Sequence, residues 1–402
     1  MEHKMIHRMV CAVCALALLA TGLLPTAAFA AEPEIEEPLQ TLTAADVREM
    51  QQADTAVTAL TDSEAYENMT EAQRLDAALD QLDDLVQQGL VKKGSVYADE
   101  ENGMVSFSYT CGALGGILLT DPEEENETVV SGPDFTDSIT DLAEVENGAV
   151  GNAIIYYAFD NGINSSRYPY YAYMRNYWTD AGLTTHLDLA VTVSDLRKMG
   201  DYDLAILSAH GAYYTYQYGW LWKKQETAPV ILLLEQSDFW TDLRYGMDLL
   251  SHRIIKVNGA YAVTGDFFRA AYRGGKLNNT MVLSETCEFY GRSGHLNTSL
   301  ADGLLSGGAV AVEGYINNVY SVYSRSMLWA TVNRLIEGET LQDAVNYSME
   351  IYGDDDIVWY DNQMTGRRPH AVASYAILDG SADARLTGSG AGSGSTSLAD
   401  AA

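Results

Sequence analysis

Apolar positions along the chain change their period twice. Over residues 70–90, Leu75, Ala78, Leu79, Leu82 and Leu85 recur at helical spacing, with Gly89 and Gly94 near the end of the run. The segment that follows, SVYADEENGMVSFSYTCGALGGILLTD, reads as two β-rich runs about the turn signal Glu101-Asn102-Gly103. Residues 121–147 are acidic and punctuated by proline and glycine, which suits an exposed linker. Beyond residue 148, short apolar runs alternate with helical stretches. Residues 153–158 (AIIYYA) and 203–208 (DLAILS) are apolar almost throughout, as strands buried on both faces of a parallel sheet are. Residues 280–284 (TMVLS) and 309–313 (AVAVE) repeat that pattern. Helices are expected at 170–181, at 193–199 behind Ser194 and Asp195, at 326–336 and at 341–352. The last has Thr340 as N-cap and Gly353 as stop. Strands at 183–189 and 374–378 complete the series. This alternation predicts an α/β fold with a mostly parallel sheet flanked by helices. A smaller α+β region precedes it over residues 31–148, acidic at first and then helical in composition.

The first thirty residues, MEHKMIHRMVCAVCALALLATGLLPTAAFA, have a different character. Lys4 and Arg8 precede an apolar run that ends in Ala28-Phe29-Ala30, the pattern of a secretory signal peptide. The expected division is therefore 1–30 signal peptide, 31–148 N-terminal region or pro-region, 149–385 main domain and 386–402 flexible Gly/Ser tail. A secreted, extracellular protein follows from that reading, with no membrane segment once the signal is removed. The formal charge of −32 repels phosphate backbones and argues against a nucleic-acid partner. Outside residues 1–30 only Cys111 and Cys287 remain, too few for a disulfide framework. The 26 tyrosines and plentiful aliphatic residues supply a real core.

Candidate chemistry falls at strand ends, where open parallel sheets bind ligands. DLAILSAHGA places His210 directly after an apolar strand and before Gly211, and NNTMVLSETCEFYG places Cys287 just past another. If the two strands are parallel, both residues share one rim. A thiol beside an imidazole is the usual arrangement for a cysteine nucleophile, because the imidazole accepts the thiol proton and later protonates a leaving amine. Gly211, lacking a β-carbon, lets its N–H approach a reacting carbonyl as an oxyanion donor, and the N–H of Cys287 is the natural second. Glu285 points to the same side as Cys287, about 6.5–7 Å along the chain. A carboxylate there hinders thiol ionisation unless a cation neutralises it, which favours a substrate Lys or Arg before the scissile bond.

The order apolar strand, His-Gly, apolar strand, Cys resembles that of the caspase-like (clan CD) cysteine peptidases, the group holding clostripain, gingipains and caspases. LADGLLSGGAVAVEGY (300–315) resembles the helix, Gly-Ala turn and strand after the nucleophile in clostripain- and gingipain-like members, and SYAILDG (374–380) resembles their last core strand. The likeness spans about residues 150–385. It implies a caspase-like fold and a Cys287/His210 dyad acting on a protein or peptide. An acid two residues before the nucleophile selects basic substrates in clostripain-like enzymes, and Glu285 holds that place. Thr286 before Cys287 and Glu288 after it depart from the family pattern, and the long interval from His210 to Cys287 implies an insertion of β-structure over 213–276.

Competing readings attach to other residues. A caspase-like fold without activity, serving binding or adhesion, is the alternative that Thr286 and Glu288 suggest. A carbohydrate-binding or glycoside-cleaving protein would draw on the many aromatics and acids. His186, His252, His295 and His370 are scattered and show no zinc spacing. No metal or other cofactor is expected: Asp354, Asp355, Asp356 and Asp361 could bind calcium, but a solvated helix-exit loop is the favoured reading of those residues. Cys111 is expected buried and reduced. The alternation of Tyr214, Tyr216, Tyr218, Trp220 and Trp222 suits one packed face of a strand, with a substrate groove as the other option. Lys92-Lys93 is a conceivable self-cleavage site.

Overall fold

The computed structural model describes residues 41–120, 135, 137–139, 150–159, 170–218, 224–364, 368 and 370–386. The expected signal peptide, most of the expected linker and the Gly/Ser tail lie outside the described residues, as do Trp220 and Trp222.

Helices α1 (Ala44–Thr61), α2 (Glu64–Glu67) and α3 (Glu71–Gln87) open the fold. Threonine capping boxes start the first and third, Thr43 with Asp46 and Thr70 with Gln73, and satisfy N–H groups that have no partner inside the helix. Strands β1 (Tyr97–Asp99) and β2 (Met104–Ser108) meet at the expected turn, where Gly103 takes a φ of 59°, and β3 (Leu114–Leu118) follows. The chain continues through β4 (Gly151–Ala158), α4 (Tyr170–Asp180), β5 (Leu183–Asp188), β6 (Leu204–Ala209), β7 (Gly211–Tyr218) and β8 (Lys224–Gln236). Short helices α5 (Phe239–Arg244) and α6 (Gly246–Leu250) lead to β9 (Ile254–Val257), β10 (Ala260–Val263), α7 (Gly265–Ala271) and β11 (Met281–Ser284). A small hairpin of β12 (Gly291–Arg292) and β13 (His295–Leu296) precedes α8 (Ser299–Ser306) and β14 (Ala311–Tyr315). Helices α9 (Ser321–Ile336), α10 (Leu341–Tyr352) and α11 (Asp356–Gln363) and strand β15 (Ala376–Gly380) complete it.

The protein is mixed α/β, with helices flanking its sheets. One sheet has six strands in the order β15-β14-β11-β6-β4-β5, parallel throughout except for β15. Side-chain alternation sends Ile155, Ile206 and Leu283 to one face, under α4, α9 and α10 through Trp178, Trp329 and Leu341. Ile154, Leu207 and Val282 go to the other, against α7 and α8 through Phe267, Phe268 and Leu304. Burial on both faces is the physical reason these strands are apolar at nearly every position.

A second sheet runs β1-β2-β3-β9-β10-β8-β7, and its members come from both sides of the expected boundary near residue 148. β3 pairs in parallel with β9, so the N-terminal strands and the 211–263 segment share one ladder. The same core holds Met50, Val57 and Leu82 of the N-terminal helices together with Ile231, Tyr261 and Val263. A buried Lys256 on β9 pairs with Asp54 of α1 and, at 2.8 Å, with Asp242 of α5, tying helix to sheet. Residues 213–276 thus hold the β-structure expected there, together with the short helices α5, α6 and α7. The expected helix at 193–199 is a 3-10 turn over Leu196–Asp201, and the helix expected at 326–336 begins five residues earlier.

Candidate active site

Two strand ends build the site. β6 and β11 are parallel neighbours, with Ser284 opposite Leu207, so the residues beyond their carboxyl ends emerge on the same rim. His210 is the single residue between β6 and β7, where the chain leaves the six-stranded sheet and enters the seven-stranded one. Cys287 follows β11 in a turn. Both line one cleft of about 470 Å³, together with Gly211, Glu285, Glu288 and Arg325.

Gly211 lines this cleft, and the ladder register fixes its amide. Leu232 N–H donates to the His210 carbonyl at 2.9 Å, which makes His210 and Leu232 the hydrogen-bonded pair of the antiparallel ladder. The neighbouring pairs alternate, and at the third one along Tyr213 faces Pro229, which has no N–H to give. The Gly211 amide therefore points away from β8, on the outer edge of the terminal strand. A donor for a developing oxyanion needs that orientation.

Cys287 is partly buried and free of disulfide. Its Sγ accepts from Val319 N–H at 3.4 Å. The His210 ring packs edge-on against Phe159, with centroids 4.5 Å apart. Burial, and then the charge of Arg325, pull the His210 pKa down to about 4, so the ring is neutral at pH 7 and able to accept a proton.

Glu285 is nine-tenths buried, yet it reaches the cleft. Tyr171 Oη donates to its Oε2 at 3.0 Å, and Ser324 Oγ to its Oε1 at 3.5 Å. Arg325 Nε donates to the same Tyr171 hydroxyl at 3.0 Å, and Ser208 Oγ does so at 2.7 Å. Burial raises the Glu285 pKa against the opposing charge of Arg325 and these hydrogen bonds. The countercharge that sequence reasoning assigned to a substrate is thus supplied in part by Arg325, a residue that nothing in the local sequence marks. Behind Glu285, Glu313 on β14 is buried and its pKa rises to about 8, through burial and then the charge of Glu285.

The two residues that flank Cys287 have places too. Thr286 is fully buried, and its hydroxyl has no hydrogen-bond partner. Glu288 adopts a φ of 55° and is ion-paired to Arg292, while burial raises its pKa.

Among residues read as scattered, His370 lines the same cleft. Its Nε2 lies 2.9 Å from Asp356 Oδ2 and its Nδ1 2.8 Å from the Val372 carbonyl. Asp356 also accepts from the N–H groups of Tyr320 and Ser374, at 2.9 and 2.8 Å. Of the other acids considered for calcium, Asp355 caps α11 through Val358 N–H and Asp361 pairs with Arg368. Tyr214 packs inside the seven-stranded sheet and bonds the Gly115 carbonyl at 2.8 Å, whereas Tyr213 lines the cleft. Cys111 is unpaired in any disulfide and partly buried rather than fully so, and burial pushes its thiol pKa up. Lys92 and Lys93 are exposed.

Comparison with known proteins finds no family model and no curated protein that matches this chain. No helix among the described residues is long and apolar enough to cross a membrane.

Proposed function

We propose that the protein is an exported cysteine endopeptidase of caspase-like type, cutting peptides after Lys or Arg. The observation that carries this reading is the parallel register of β6 and β11, which delivers Cys287 and His210 to one cleft. Neutral His210 takes the thiol proton as Cys287 Sγ attacks the peptide carbonyl. The oxyanion is held by the N–H groups of Gly211 and Cys287. The protonated imidazole, strongly acidic in its buried setting, gives its proton to the departing amine. Water then attacks the thioester, with His210 as base, and releases the acid product. This chemistry calls for no metal or cofactor.

The cleft's charge supports a basic residue before the cut. Glu71, Glu100, Glu101, Glu285 and Glu288 line it against Arg292 and Arg325, so carboxylates outnumber guanidiniums. Export rests on the sequence of residues 1–30.

The deciding experiment compares wild type with Cys287→Ala on fluorogenic peptides that differ only in the residue before the cut. Hydrolysis after Lys or Arg by wild type alone is expected. Equal hydrolysis by the alanine variant would remove Cys287 as nucleophile.

A further inference from the structure

Glu288 and Arg292 have no part in the chemistry proposed above, yet they join segments far apart in the chain. Glu288 directly follows the nucleophile and holds a left-handed backbone, a conformation unfavourable to a residue with a β-carbon. Its N–H donates to the Asn317 carbonyl at 2.7 Å, and its own carbonyl accepts from Gly291 N–H at 2.7 Å, which fixes the turn carrying Cys287. Its buried carboxylate is held by Arg292 Nε. The same guanidinium sends Nη1 to the carbonyl of Glu101 at 2.8 Å and lies 5.9 Å from the ring centre of Tyr213. One side chain thus touches the nucleophile turn, the β1–β2 turn and strand β7.

The β1–β2 turn is itself built firmly. Asp99 accepts from the backbone and side-chain N–H groups of Asn102, at 3.2 and 2.6 Å. Residues 100–103 line the same cleft as Cys287 and His210.

From this geometry we infer that Arg292 is a positioning residue that fastens the 100–103 turn to the Cys287 turn, making the N-terminal region a fixed wall of the substrate cleft. The inference rests on reading that cleft as the peptidase site. It also distinguishes a wall from a removable pro-region, since a wall takes part in substrate binding. Arginine suits the task because its planar fork donates to two acceptors on different segments, whereas a lysine ammonium is a single compact charge.

The test uses the full-length protein with Arg292→Lys and with the double variant Glu288→Gln/Arg292→Met. Lysine retains the charge opposite Glu288 but gives up the bond to Glu101. The double variant removes the buried carboxylate along with its partner, so that an uncompensated charge does not unfold the turn. In both, hydrogen exchange at residues 100–103 is expected to quicken. KM for peptides is expected to rise about tenfold, the worth of one charge-assisted hydrogen bond, with kcat nearly unchanged. Unchanged exchange in both variants overturns the fastening, and quicker exchange with unchanged KM overturns the wall. A wild type that cleaves no peptide defeats the peptidase reading and the substrate wall with it, while exchange still decides whether Arg292 holds the turn.

Discussion

The α-carbon of Gly211 lies directly against the carbonyl of Cys287: a β-carbon built on Gly211 would stand 1.9 Å from that oxygen and 2.7 Å from Thr286 Cγ2. Only glycine allows the two rim segments to approach so closely, and the approach sets the proposed oxyanion donor beside the nucleophile. Gly211→Ala must therefore separate β7 from the Cys287 turn. Its kcat/KM is expected to fall about 10²–10³-fold, the effect of losing one oxyanion donor. Steady-state kinetics on a Lys or Arg peptide check this, and a variant within tenfold of wild type would exclude Gly211 from the mechanism.

His210 gives a second prediction, in the pH profile. Because its pKa is held near 4, the ring stays neutral well below the usual histidine range, and the acid limb of kcat/KM is expected near pH 4 rather than 6.5. Stability carries the same sign. Between pH 6.5 and 4 the unfolded chain binds a proton that the folded ring refuses, so stability falls as pH falls through that window, by something of order 3 kcal/mol from this group. His210→Asn should flatten that part of the curve in denaturant titrations. An acid limb at 6 or above would show that the ring is better solvated than its packing against Phe159 requires.

The Glu285 and Arg325 pair yields a third. Glu285→Gln keeps the shape and the hydrogen bond from Tyr171 but removes the charge. Selectivity for Lys or Arg over leucine before the cut is expected to drop at least about tenfold, about one charge-assisted contact. Arg325→Met leaves the buried carboxylate without its cation and is expected to cost about 3–5 kcal/mol, with the double variant recovering most of it. Competition kinetics read the first effect and urea denaturation the second. Selectivity unaffected by Glu285→Gln would leave Arg325 as the sole counterpart of that carboxylate.

The parallel sheet and its rim were legible in the sequence because burial on both faces forces an apolar run at β4, β6, β11 and β14, and the residues at their ends are then fixed by topology. His210, Cys287 and Gly211 could be placed that way. Arg325 and Arg292, which line the cleft, and Tyr171, which bonds Glu285, could not, because each comes from an element whose angle of packing is set by tertiary contacts. The same limit hid the sharing of one sheet by β3 and β9. Their pairing involves only Gly115 with Lys256 and Gly116 with Val257, and a pair of glycines and a buried lysine carry no strand signal that local periodicity can read. Lys256 becomes intelligible only once Asp54 and Asp242 surround it.

Thr286 supplies a fourth prediction. Its hydroxyl is buried without a hydrogen-bond partner, while its methyl group packs toward Gly211. Thr286→Val keeps the shape and deletes the orphaned hydroxyl, and is expected to raise stability by about 1 kcal/mol. Thermal unfolding at pH 7 is the measurement. A destabilised valine variant would mean that the hydroxyl is solvated from the cleft and belongs to the binding surface.

Glu313 provides the last, and its sign opposes that of His210. Its carboxyl is buried beside Glu285 with a pKa raised to about 8, so the folded protein keeps a proton there that the unfolded chain, at 4.5, has released. Stability from this group is complete below pH 4.5 and is lost as pH rises toward 8, by roughly 5 kcal/mol. Glu313→Gln fixes the neutral form permanently. The variant should match wild type near pH 4.5 and become progressively more stable than wild type up to pH 8, in denaturant midpoints taken across that range. If the wild-type and variant curves run parallel from pH 4.5 to 8, Glu313 is charged in the folded state and some cation has found it.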